Sequence, residues 1–147
     1  MAKELLRQLV AGCSALYEKR IMHRDLKLDN ILIHFPDRSS NLKQDDIDGI
    51  DLENERFFVK IADLGYAREF KRSAEEDRAW SFRGSPLMMP AEQLSTYWGS
   101  ESTGYSHKID VWAIGVILYQ MLTGMFIFNI EAKSSYQVAL GMLYKKI

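Results

Sequence analysis

Residues 23–30 read His-Arg-Asp-Leu-Lys-Leu-Asp-Asn (HRDLKLDN), and this stretch governs how the rest of the chain is read. It mixes charges of both signs with a histidine and an asparagine, so it is a loop rather than a buried element. Ahead of it, Leu5, Leu6, Leu9, Val10, Cys13, Leu16 and Tyr17 recur at spacings of three and four, which predicts an amphipathic helix over residues 2–19. Behind it, the apolar run Ile31 to Phe35 is closed by Pro36 and Asp37 and predicts a strand. A second strand is predicted over Phe57 to Ala62, and Asp63-Leu64-Gly65 follows it at once.

Farther out, the segment Asp37 to Arg56 separates the two strands. Seven acidic against three basic residues give it a net charge of -4. It is long for a hairpin connection, and its composition predicts a mobile acidic surface loop. Within it, QDDIDGIDLENE places Asp46, Asp48, Gly49 and Glu55 in the register of a calcium loop. Gln44 stands at the first ligand position and Asp51 at the usual apolar eighth, so a solvated acidic face is the preferred reading. Residues 66–109 are mostly polar and loop-rich. Helix patterns return over 110–123 and 135–146, the latter capped by Ser134 or Ser135.

The whole chain has 147 residues, 47% hydrophobic and 27% charged, which suits one globular domain. Its 19 basic and 20 acidic residues leave a net charge of -1 and argue against nucleic-acid partners. The single Cys13 excludes a disulfide scaffold and fits a reducing compartment. Lys3, Glu4 and Arg7 interrupt the first apolar run, so no signal-peptide core is read there, and an intracellular, cytoplasmic location is expected. One stretch competes with that class. Val111 to Ile130 carries no charge over a length able to span a bilayer. The rival reading is a buried helix ending near Gly124.

HRDLKLDN fits the pattern H-R-D-L-x-x-x-N, in which Asp25 and Asn30 stand five apart. Further motifs follow in order. Asp63-Leu64-Gly65 stands where DFG is expected. Gly84-Ser85-Pro86-Leu87 with Met89-Pro90-Ala91-Glu92 resembles GTPxYMAPE, with the Ala-Pro order reversed and Met88 for the common Tyr. Asp110-Val111-Trp112-Ala113-Ile114-Gly115 resembles D-x-W-x-x-G. Together these motifs resemble the C-terminal, catalytic lobe of the eukaryotic protein kinases, and Lys27 resembles their serine/threonine-specific form.

The resemblance implies an α+β, mainly α-helical lobe in which a short β-hairpin carries the catalytic and metal-binding loops. It implies transfer of the ATP γ-phosphate to a Ser or Thr hydroxyl of a protein substrate, with ATP and Mg²⁺ as cofactors. In that reading Asp25 accepts the hydroxyl proton and Lys27 neutralises charge on the phosphoryl group. Asn30 and Asp63 hold Mg²⁺ through hard oxygen donors. Leu32 lies against the adenine ring, with Ile117 and Met121 below it, and Leu64 packs under the site in place of the DFG phenylalanine. Arg24 pairs with a phosphate on the activation segment, for which Ser81 is the first candidate and Ser73 a weaker one. Ser85 shapes the pocket beside the target residue. His23, Glu92 and Asp110 are structural, Asp110 bonding the catalytic-loop backbone. His34 and His107 have no metal-ligand spacing with Cys13, which is read as core.

The resemblance also decides Val111–Ile130, which becomes the lobe's central helix, apolar all round because helices pack on every side, and no membrane contact is expected. No G-x-G occurs among the nine glycines, and no V-A-I-K lysine is present. Residues 1–147 are therefore expected to form part of a kinase domain that lacks its N-lobe, with 37–56 as an insert. A partner supplying or covering that lobe is expected, and little phosphoryl transfer by the chain alone. The alternative is a catalytically dead kinase-like binding module.

Overall fold

The computed structural model describes residues 2–38, 43–71, 77–97, 103–128 and 141. Ser73 and, apart from Gly141, the helix expected over 135–146 lie outside them. Helix α1 spans Ala2–Glu18 and buries Leu5 and Leu9 on the face that the periodicity predicts. Strand β1 (Ile21–Met22) follows, then a 3-10 turn over Leu28–Asn30 and strand β2 (Ile31–His34). Helix α2 (Gln44–Asp48) lies in the acidic segment, ahead of β3 (Phe58–Ile61) and β4 (Arg68–Glu69). Helices α3 (Ala91–Leu94) and α4 (Lys108–Thr123) come last.

Two small antiparallel pairs frame the loop at 23–30. β1 pairs with β4, and β2 pairs with β3 in the register Ile31↔Ile61 to His34↔Phe58. Leu9, Leu26, Met88, Ala113, Val116 and Ile117 form the main core. Leu26, fully buried at the centre of HRDLKLDN, pins the charged loop to α1 and α4, and Leu28 packs against the same core. Burying such a side chain stabilises by about 1.5–3 kcal/mol. Cys13 packs against the same core, and burial, with the Asp110 charge as the lesser cause, pushes its thiol up to about 12. The thiol is thus protonated and inert at neutral pH.

α4 ends at Gly124, whose φ of 70° supplies the left-handed cap that the buried-helix reading requires. No helix among the described residues is long and apolar enough to cross a membrane. The expectation that α4 is covered on every side is corrected. α1 and the loops cover the face of Ile109, Ala113, Val116 and Ile117, whereas Val111 and Leu122 on the opposite side are 63% and 67% exposed.

The acidic segment also departs from expectation, because its charges are matched locally. Arg38 clasps Glu55, Arg56 reaches Asp37 at 3.2 Å, and Asp46 accepts the Lys43 N–H to start α2. Composition predicts a featureless loop only when such charges lack partners. A third departure is Leu64, which is 52% exposed instead of packed beneath the site. It opens the 3-10 turn Leu64–Tyr66 behind a left-handed Asp63, and that turn directs its side chain outward.

Candidate active site

Asp25 is the centre of the site, only 4% exposed and held from three directions. Ser85 Oγ donates to Asp25 Oδ1 at 2.8 Å. Lys27 Nζ lies 3.4 Å from Asp25 Oδ2 and also donates to Ser85 Oγ at 3.2 Å. Asn30 Nδ2 donates to the Asp25 carbonyl at 2.8 Å and lies 3.4 Å from Asp25 Oδ2. A buried carboxylate needs such donors, since an unpaired one would be too costly to desolvate.

The backbone of the loop hangs on α4. Asp110 accepts the His23 N–H at 2.8 Å with one carboxylate oxygen and the Arg24 N–H at 2.9 Å with the other. Burial raises the Asp110 pKa, and these two N–H groups only partly oppose that rise. The ring of His23 is fully buried. Its Nε2 donates to the Ala62 carbonyl at 3.0 Å, so its Nδ1 accepts the Asp25 N–H at 3.3 Å. One ring thereby joins the loop at 23–30 to the residue before Asp63.

Asn30 and Asp63 leave the facing ends of β2 and β3, where Ala62 N donates to the Asn30 carbonyl at 2.9 Å. Asp63 adopts φ 60°, a left-handed conformation uncommon outside glycine, and its Oδ1 accepts the Gly65 N–H at 3.1 Å. Leu32 is an exposed apolar side chain on β2, opposite Lys60. Ile117, by contrast, is fully buried in the core.

Arg24, also at positive φ, sends its guanidinium to three neutral oxygens. It reaches the Tyr66 carbonyl at 2.6 Å, Ser81 Oγ at 2.9 Å and the Tyr105 hydroxyl at 3.3 Å. No carboxylate pairs with it among the described residues. Glu92 lies apart, exposed in the first turn of α3, and no ion pair reaches it among the described residues.

Three supporting residues escape a reading of spacing alone. Tyr105 is fully buried, and its hydroxyl donates to the Ser81 carbonyl at 2.7 Å. Gln93 holds the Arg83 carbonyl at 2.7 Å. At Gly84, φ is 108° and a Cβ would lie 2.3 Å from the Arg24 carbonyl oxygen, so the segments meet only through glycine. The Gly-Ser-Pro run was the available signal for the last; Tyr105 and Gln93 had none.

The protein kinase domain family matches residues 1–145 of the chain. Among similar proteins, the mitogen-activated protein kinase kinase kinase MCK1 of Pyricularia oryzae is 29% identical over 99% of the chain and 8% of its own length. The DNA damage response protein kinase DUN1 of Saccharomyces cerevisiae is 36% identical over 84% of the chain and 22% of its own length. The serine/threonine-protein kinase ATG1a of Arabidopsis thaliana is 34% identical over 84% of the chain and 16% of its own length. The chain thus spans a minor part of each relative. A match over nearly all its residues, to a family whose loop pattern recurs at 23–30, makes this chain a member of the eukaryotic protein kinases, a kinase-domain fragment of helices and a small sheet.

Proposed function

We propose that the protein is a serine/threonine kinase that transfers the ATP γ-phosphoryl group to a protein hydroxyl. In this reading residues 1–147 belong to the C-terminal lobe of its kinase domain, and 37–56 form an acidic insert in it. The observation that carries the reading is the convergence of Lys27 and Ser85 on the buried carboxylate of Asp25, with Asn30 held to its carbonyl and beside its carboxylate. Those residue types are what phosphoryl transfer needs: a base, a cation and a hard oxygen donor.

The donor set fits Mg²⁺. The Asn30 amide spends its NH₂ on Asp25, and among the described residues no hydrogen bond falls on its oxygen. Asp63 is exposed and uses one carboxylate oxygen on Gly65. Each therefore presents a hard oxygen of the kind Mg²⁺ takes. Bound MgATP supplies the phosphoryl group and the charge that balances it. Asp25 orients the substrate hydroxyl and takes its proton. Lys27 places a positive charge beside the transferred group, and Ser85 keeps Lys27 and Asp25 in register. Leu32 offers an apolar face to the adenine.

Arg24 and Ser81 are assigned a regulatory contact. The guanidinium already meets Ser81 Oγ, and a phosphate there would give it a charge-assisted, bidentate partner in place of a neutral one.

The test uses the intact natural protein with radiolabelled MgATP and a mixed peptide library. Asp25→Asn is expected to lower transfer by about 100-fold or more. Wild-type rates from Asp25→Asn would sink the reading and favour a binding module. Phosphopeptide mapping should place a phosphate on Ser81 in the active form.

A further inference from the structure

Residues 35–57 intervene between the paired ends of β2 and β3, His34 and Phe58. A tight turn fixes hairpin register; so long a connection does not, and a one-residue slip would reverse the faces of the strand. Something else must set β3, because Asp63 follows it directly. β3 has one edge on β2, and its other edge faces α1.

Gln8 of α1 meets that edge with both ends of its amide. Its Oε1 accepts the Val59 N–H at 2.8 Å, and its Nε2 donates to the Phe57 carbonyl at 3.2 Å. The second N–H of Nε2 goes to Glu4 Oε1 at 2.8 Å. This set fixes the amide orientation, since only the NH₂ serves both acceptors and only the oxygen serves Val59. The side chain therefore binds β3 as a neighbouring strand would, at one register only. One helical turn on, Gly12 lets α1 close on the same strand: a Cβ there would lie 3.0 Å from Ile61 Cδ1. The Arg38–Glu55 clasp, by comparison, ties the insert to itself, and among the described residues no hydrogen bond from it reaches the β3 backbone.

We propose that Gln8 is a positioning residue for the metal-binding end of the site: its amide sets the register of β3 and so places Asp63 against Asn30. This rests on the assignment of Asp63 and Asn30 as Mg²⁺ ligands, but its first readout does not.

The test compares Gln8→Met, close to Gln in length and helix propensity, with the wild-type intact protein. Amide hydrogen exchange at Val59 is expected to rise about tenfold, while Ala62, bonded to Asn30, changes less. The Mg²⁺ concentration for half-maximal ATP turnover is expected to rise severalfold, with the peptide KM unchanged. Glu4→Gln, which leaves both strand bonds in place, should match wild type. Unchanged exchange at Val59 would overturn the register claim. Faster exchange with an unaltered Mg²⁺ dependence would overturn the positioning role and leave Gln8 a structural clamp. Should Gln8→Met lose helix content, Gln8→Glu carries the test, because it keeps an oxygen facing the Val59 N–H. Retained protection and wild-type Mg²⁺ dependence then support the proposal; lost protection with wild-type Mg²⁺ dependence overturns it. If Asp63→Asn leaves the Mg²⁺ response of the wild type unaltered, the ligand assignment falls, while the exchange result still decides the register.

Discussion

The β2–β3 pair has a charged cluster at each end, and the two are built on opposite plans. At the Asn30 end local contacts to Asp25 are joined by ones long in sequence: Lys27 to Ser85, Ser85 to Asp25 and Arg24 to Asp110 span 58, 60 and 86 residues. At the insert end all are short, from two residues between Asp51 and Glu53 to 19 between Arg56 and Asp37. The first cluster is largely buried and distributes each charge over partners from separate segments. The second is exposed and self-contained. Similar residue types thus serve a shared node in one place and a local fold in the other, and their substitutions should separate accordingly.

The sharpest break is Gly84→Ala. A methyl group 2.3 Å from the Arg24 carbonyl, on a backbone at φ 108°, forces two segments of the site apart. A loss of about 3 kcal/mol in urea denaturation is expected, with phosphoryl transfer abolished. A loss below about 1 kcal/mol would show that the loop at 23–30 can yield.

Next comes Asp110→Asn, which keeps an acceptor for one of the His23 and Arg24 N–H groups and strands the other. The expected cost is about 2 kcal/mol. It also removes a pH dependence. Because burial raises the Asp110 pKa, the unfolded chain ionises first as pH rises from the ordinary aspartate value of about 3.9. Asp110 therefore lowers stability across the window up to its raised pKa, and adds no further slope above it. Urea curves should show the substitution costing more below that window than at pH 7.

At the insert, Arg38→Ala should cost a small, salt-sensitive amount of stability and Arg56→Ala, at a more exposed pair, less. Neither should alter phosphoryl transfer, and 1 M salt should shrink both losses. A catalytic defect in Arg38→Ala would erase the distinction between the two ends.

What the sequence made legible follows the range of the interactions. Periodicity placed α1 and the apolar part of α4, and β-branched runs placed β2 and β3, because those signals are local. The eight residues at 23–30 identified the loop through a pattern, and the structure brings Lys27, Asn30 and Ser85 within reach of Asp25. Tyr105, Gln93 and Gln8 were illegible. Each acts by touching the backbone of a distant segment, and nothing in its neighbours announces that contact. The described residues of the insert are mostly exposed, as its composition indicates, but counting charges could not show that Arg38 and Arg56 face Glu55 and Asp37. Leu64 and the outer face of α4 show that apolar character specifies a preference for burial without specifying what does the burying.

The carboxylate of Asp110 also bears on folding order. It lies 87 residues from His23, so the chain between them must be closed into a ring before either hydrogen bond can form. The entropy of that closure is offset only once α4 has docked on α1 and Leu26. α1 and the local pairs of the insert can form early and cheaply, whereas the backbone of residues 23–30 takes shape only with the last, most distant contact. The backbone of residues 23–30 is therefore completed late in the folding of this chain, and any loosening of α4 is felt first at His23 and Arg24.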